Sequence, residues 1–291
     1  MVHWHPSGRA AMVWRKDMGT RETTMSEAVL VELHKGYRVI QINRPDRLNA
    51  LDRATHVVLM EKLLEAEADE TCRALILTGT GRGFCAGADL AGRNQAPEPG
   101  DGTVKKDAGN SIEETWNPLA RKLAVMRMPV IAAVNGIAAG AGSSIALGCD
   151  IAIAARSAYF LQAFTRIGLV PDCGGTWFLP NLVGPARARG MVMLAEPLPA
   201  EKALEWGLIW GVFDDDKLME EAHKMAAKLA SMPTKSILMS RRAIAAASAG
   251  NSLNEQLDLE RDLQAMASRT EDHKEGVTAF LEKRPAQFKG R

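Results

Sequence analysis

From Pro129 to Ala155 the chain carries no lysine, arginine or glutamate, and this stretch constrains the fold more than any other. A run so long and apolar could cross a bilayer. It is interrupted by Asn135, Gly136, Gly140, Gly142, Ser143, Ser144, Gly148 and Asp150, and it lacks an aromatic belt or flanking cationic asymmetry. The reading that fits is a buried strand at Val130 to Val134, a glycine-rich turn, a buried helix around Ser143 to Leu147, and a second strand at Ile151 to Ala154. No membrane partner is expected.

Composition agrees with a tightly packed α/β core. Of 291 residues 46% are apolar but only 5% aromatic, so the interior has to be built from Ala, Val, Leu, Ile and Met beside 25 glycines. That favours close backbone approach over a stacking platform for bases. Lys plus Arg number 36 against 35 Asp plus Glu, a formal charge of +1. There is no global basic field for nucleic acid, and the pairs Lys105-Lys106 and Arg241-Arg242 are too short to form a stripe. An anionic ligand must be held by a few placed cations. Cys72, Cys85, Cys149 and Cys173 form neither a CxxC pair nor a Cys/His ligand spacing, which predicts buried, reduced thiols in a cytoplasmic protein and no metal.

The first 24 residues contain Arg9, Arg15, Lys16 and Arg21 without a following apolar stretch. They read as an N-terminal extension that does no chemistry rather than a secretory signal, and His3 and His5 would bind metal only adventitiously. A hairpin is predicted from Val29 to Leu33 and Tyr37 to Ile42. A helix capped by Asp52 follows over Arg53 to Glu67, then a buried strand at Ala74 to Thr78. Residues 92 to 111, rich in Gly, Pro and polar side chains, read as a long mobile loop. A helix from Glu113 to Met126 precedes the apolar stretch. Tyr159 to Ala163 reads as a further short strand. After Pro171 the pattern is helical, apart from a strand-like Leu208 to Phe213. The expected organisation is an extension at 1–24, an α/β spiral core at 25–198 and a helical region at 199–291.

Two glycine-rich turns follow buried strands: GRGFCAGADL at 81–90 and NGIAAGAGSS at 135–144. Backbone can approach a ligand closely at such turns, and two N–H groups converging on one oxygen would make an oxyanion hole. The Gly140-Ala141-Gly142 beginning lacks the third glycine of a dinucleotide fingerprint, and no phosphate-binding GxxxxGK[ST] occurs. Ser143 and Ser144 lie outside a GxSxG elbow. Asp172, in LVPDCGGTWFLP, has two open readings: a cap for the helix that follows, or a general base in an apolar pocket formed by Leu169, Val170, Phe164 and Trp177.

NRPDRLNAL (43–51), GRGFCAGADL, the 129–155 stretch, GLVPDCGGTWFLP (168–180) and EGVTAFLEKRPAQF (275–288) occur in one order, and together they resemble the enoyl-CoA hydratase/isomerase, or crotonase, superfamily over about residues 27 to 289. The resemblance implies a crotonase-like ββα spiral core with a C-terminal helical trimerisation region, a homotrimer or dimer of trimers, and an acyl-CoA thioester as ligand. No cofactor is implied, since CoA is part of the substrate.

By position, the N–H groups of Ala88 and Ala141 would bind the thioester oxygen. Arg47, Leu48, Ala86, Asp89 and Leu90 match the path of the adenine and pantetheine. Phe280 and Lys283 match a C-terminal segment that often reaches CoA, sometimes in a neighbouring subunit. Hydratases of the family carry glutamates where this chain has Ser144 and Phe164, so the carboxylate pair that handles water is missing. Asp172 stands where hydratases commonly have glycine and some isomerases have an acid. The resemblance therefore points to an isomerase that rearranges a ring epoxide to an oxepin thioester, with Asp172 as acid/base and Phe164 as pocket wall. Double-bond isomerisation and residual hydration are the alternatives.

Overall fold

The computed structural model describes residues 27–90 and 108–291. The expected extension at 1–24 and most of the expected loop at 92–111 lie outside the described residues. The end of that loop is helical, however, from Ala108 onward.

The chain opens with a hairpin, β1 (Val29–His34) and β2 (Tyr37–Ile42), followed by α1 (Arg53–Ala68), β3 (Ala74–Gly79) and β4 (Gly83–Cys85). Asp52 caps α1 as expected: its carboxylate accepts from Thr55 N at 2.8 Å. A short helix α2 (Ala108–Ser111) runs through a π-helical turn, Ile112–Trp116, into α3 (Asn117–Val125). The apolar stretch becomes β5 (Val130–Val134), β6 (Ile137–Ala139), α4 (Ala141–Leu147) and β7 (Ile151–Ala155). Among the described residues no helix is long and apolar enough to cross a membrane. Then come β8 (Tyr159–Leu161), α5 (Gly175–Leu194), β9 (Leu198–Pro199), α6 (Ala200–Glu205), β10 (Gly211–Phe213) and the helices α7 (Leu218–Ser231), α8 (Thr234–Ser248), α9 (Leu253–Ala267) and α10 (Glu271–Glu282).

Two sheets result. The first has the order β1-β2-β3-β5-β7-β10 and is parallel except for the β1–β2 hairpin; the second has the order β4-β6-β8-β9. Each passage of the chain gives one strand to the first sheet and the next to the second: β3 then β4, β5 then β6, β7 then β8. This is the α/β spiral expected of a crotonase core. The central strands are buried along their whole length, so they read as continuous apolar runs rather than alternating ones. Alanines in β5 and β7 leave room for neighbours, and α7 turns a stripe of Leu218, Ala222, Ala226 and Ala230 into the core.

One expectation needs correction: the strand-like Leu208 to Phe213 shortens to Gly211–Phe213, which pairs in parallel with β7 and joins the first sheet. α5 is two helical runs divided by a kink at Gly184, whose φ of 75° is non-helical. The helical part is tied to the core by Arg241 of α8, which pairs with Asp150 at 3.2 Å, while Asp150 also accepts from Val130 N at 2.8 Å. The four cysteines are free thiols, and burial pushes Cys85 up to about 12.

Candidate active site

The site lies where β3 and β5 deliver their chains into the two glycine-rich turns. Ala88 forms an isolated parallel bridge with Leu51. In it Leu51 N donates to Gly87 O at 2.8 Å and Asp89 N donates to Leu51 O at 3.0 Å, so the Ala88 N–H points away from Leu51. Ala141 is the first residue of α4, where an N–H has no carbonyl one turn back to accept it. The two turns meet: a methyl placed on Gly87 would stand 2.9 Å from Ala139 O and 3.3 Å from Ala141 N. Gly142 presses just as closely, since a methyl there would fall 2.0 Å from Cys85 O. Glycine is required at both positions by backbone proximity, which packs the turn carrying Ala88 against the start of α4 at Ala141.

Asparagines and an arginine fix these turns, a role that no local sequence motif announces. Asn49, fully buried in a left-handed conformation (φ 58°), donates to Thr80 O at 2.9 Å and to Gly83 O at 2.6 Å. Asn135 donates to Gly81 O at 2.9 Å. Arg44 pairs with Asp52 and Asp89 at 2.9 Å each and also donates to Ala50 O, locking the start of α1 to the Ala88 turn. Asp89, placed on the CoA path by position, is thus also a strut for the turn. The signal for these residues was their place inside NRPDRLNAL and NGIAAG, between apolar strands where a buried amide has to bond backbone.

Leu48, in the left-handed region at φ 50°, and Ala86 come together, with Ala86 N donating to Leu48 O at 3.0 Å. Arg47 is exposed beside them, and Leu90 is exposed at the end of the turn. A cavity of about 400 Å3 opens next to Ala88 and is lined by Leu51, Asp52, His56, Ser111 and Trp116 among others. His56 packs edge-on against Trp116 with ring centroids 4.2 Å apart, and burial lowers its pKa to about 4, so the ring is neutral near pH 7.

Phe164 is buried and approaches the oxyanion turn: a methyl on Gly140 would be 3.8 Å from its ring. Ser144 is also buried, within 2.7 Å of a methyl built on Gly175. Asp172 is partly buried at the turn leading into α5, and its carbonyl accepts from Gly175 N at 2.9 Å. It does not cap α5; that place belongs to Gly174, and no side chain caps the helix. Nor is the expected apolar pocket closed within the chain, since Val170 is 78% and Trp177 55% exposed and Leu169 is exposed as well. The turn is instead held from the other side. Cys173 adopts φ 51°, unusual for a non-glycine residue, and its thiol donates to Trp116 O at 3.7 Å. The residues after Asp172 thus meet both neighbours, Cys173 bonding Trp116 O and Gly175 packing on Ser144.

Phe280 and Lys283 are not brought to this site by their own chain. Phe280 is 82% exposed on α10, and the tail after α10 is anchored by Arg73, which donates to Phe288 O at 2.8 Å. Arg73 precedes β3, so the anchor lies at the opposite end of that strand from the glycine-rich turn.

Comparison with known proteins agrees with this geometry. The chain is 50% identical over 267 residues to 1,2-epoxyphenylacetyl-CoA isomerase of Escherichia coli K12, covering 92% of this chain and all of that protein. It is 35% identical to 2,3-dehydroadipyl-CoA hydratase of the same organism, covering 92% of this chain and all of the relative. The crystal structure of an enoyl-CoA hydratase from Bacillus anthracis superposes with a TM-score of 0.83 at 31% identity, covering 91% of this chain and all of that one. Residues 32–291 match the family model described as enoyl-CoA hydratase/isomerase, and with the two-sheet spiral already in place, the chain belongs to the enoyl-CoA hydratase/isomerase family.

Proposed function

We propose that this chain is a CoA-thioester isomerase that converts the ring 1,2-epoxide of phenylacetyl-CoA to the seven-membered oxepin thioester. The observation that carries the reading is the set of side chains around the paired amides. Where hydratases of the family have glutamates this chain has a hydroxyl, Ser144, and an aromatic ring, Phe164, both buried. Asp52 and Asp89 are engaged by Arg44. Asp172, next to the left-handed Cys173 in the turn ahead of α5, is the acid that stands where some isomerases of the family have one, and we assign the proton transfer to it. The 50% identity to an epoxyphenylacetyl-CoA isomerase supports the same substrate class.

In this mechanism the N–H groups of Ala88 and Ala141 hold the thioester oxygen, lowering the energy of an enolate-like state. Asp172 accepts the proton from the carbon next to the thioester carbonyl and returns it to a ring carbon, while the carbon–carbon bond of the epoxide opens to give the seven-membered ring. Nothing is gained or lost overall. Phe164 presents an aromatic wall to the ring-derived acyl group. Arg47, Leu48, Ala86, Asp89 and Leu90 line the approach of CoA, and Phe280 and Lys283 serve it from a neighbouring copy in a trimer or dimer of trimers in the cytoplasm.

Asp172→Asn tests the reading. Isomerisation of the epoxide, or of a Δ3-enoyl-CoA, is expected to fall by roughly two orders of magnitude or more while CoA-ester binding is kept; activity near wild type would remove Asp172 from the mechanism. With crotonyl-CoA no 3-hydroxy product is expected, because no carboxylate pair activates water.

A further inference from the structure

At the far end of the first sheet, the β1–β2 hairpin and α7 bring together side chains that the reaction does not use. Glu32, His34 and His223 each offer a ligand atom, and these atoms lie within 4.8 Å of one another. Glu32 and His34 are already in contact, with Oε2 3.3 Å from Nε2, close to the separation of neighbouring ligands in a tetrahedral zinc site with bonds of about 2.0–2.2 Å. We propose that Glu32, His34 and His223 form a surface site for a borderline divalent cation of the zinc class, clamping the hairpin to α7.

Three further features make this more than a chance meeting of polar side chains. Metal-binding histidines and carboxylates are commonly oriented by partners on their remaining atoms, and such partners are present here. The Tyr37 hydroxyl lies 3.1 Å from His223 Nδ1 and fixes that ring, although the residues are 186 apart in sequence. Gln41 donates to Glu32 Oε1 at 2.6 Å, leaving Oε2 turned to His34. His34 stacks on Tyr37 with centroids 4.7 Å apart and planes within 2°. Two imidazoles with one carboxylate select zinc, copper or nickel over magnesium or calcium. His34 and Glu32 keep 33% and 50% of their side-chain surface, so the ion can enter and a water can complete its coordination.

The location separates this site from catalysis. Tyr37 pairs with Ala74 at the amino ends of β2 and β3, roughly 20 Å from the turns that follow their carboxyl ends, at about 3.3 Å per residue. Binding is therefore read as affinity and stability rather than turnover.

The experiment uses the full chain without an affinity tag, titrated with ZnCl2 by calorimetry and thermal denaturation. One equivalent of zinc with a micromolar Kd is expected, and the Tm rises by roughly 5 °C when free zinc is a hundredfold above Kd. His34→Ala, His223→Ala and the surface change Glu32→Gln each remove the zinc-dependent rise, whatever their own starting Tm. Tyr37→Phe weakens binding about tenfold while keeping every ligand. Magnesium gives no rise, and His3→Ala/His5→Ala behaves as wild type. A wild-type Tm indifferent to zinc, or a rise that survives in His34→Ala and His223→Ala or vanishes in His3→Ala/His5→Ala, overturns the site.

Discussion

The imidazole of His56 illustrates how much one side chain at the cavity wall depends on its surroundings. Packed against Trp116 and 7% exposed, it has its pKa lowered from 6.5 to about 4 by burial, the nearby Asp52 opposing only in part. The folded state therefore binds this proton less readily than the unfolded chain. Stability from this group is complete above about pH 6.5 and is lost as pH falls toward 4, by an amount on the order of 3 kcal/mol. Denaturant unfolding at pH 7 and pH 4.5 checks this: His56→Phe is expected to lose markedly less stability over that interval than wild type. Equal losses would mean that His56 is not the group titrating. Single residues were unevenly legible in the sequence. Asp52 could be read as a cap because capping is local, one carboxylate and an amide three residues on. His56 is not legible in this way, because its partner Trp116 lies beyond β3 and β4 in the chain, and an isolated histidine inside a helix carries no motif.

At the scale of elements, the contact of α4 with β4 decides where the Ala141 N–H, the second of the proposed thioester donors, stands. A methyl at Gly142 would be 2.0 Å from Cys85 O, a backbone atom that cannot rotate away. Gly142→Ala is expected to destabilise the fold by about 1–3 kcal/mol, and to lower isomerase activity further by pushing the Ala141 N–H out of line. Chemical denaturation beside steady-state kinetics measures both; an unchanged protein would show that the two turns are not in the contact described. The long strands β3, β5 and β7 were plain in the sequence, as buried parallel strands are unbroken apolar runs. The strands of the second sheet were harder, since Gly83–Cys85 and Ile137–Ala139 span too few residues to show a period and lie inside the glycine-rich turns. The π turn at Ile112–Trp116 has the composition of ordinary helix, so nothing in its residues separates it from the helix it leads into.

Across the whole molecule, the C-terminal helices leave large apolar side chains uncovered, among them Leu253 and Leu281 at 73% and Phe280 at 82% exposure. Their exposure fits the proposed contact with neighbouring copies. Light scattering is expected to give the mass of three or six chains, and Leu281→Asp to shift it toward smaller species; a monomeric wild type would contradict the assembly. The candidate site was legible only as fragments. Its parts come from successive passages of the spiral, Ala88 after β3, Ala141 after β6 and Asp172 before α5, and no local rule relates residues so far apart. Resemblance to a family supplied the relation that spacing could not. The division of labour between main chain and side chains has a last consequence. If, as proposed, the grip on the thioester is made of the peptide groups of Ala88 and Ala141, no exchange of their side chains removes it outright, whereas the positions at 144, 164 and 172 are open to exchange. A lineage built on this scaffold can change its reaction by a few substitutions and still inherit its hold on CoA esters intact.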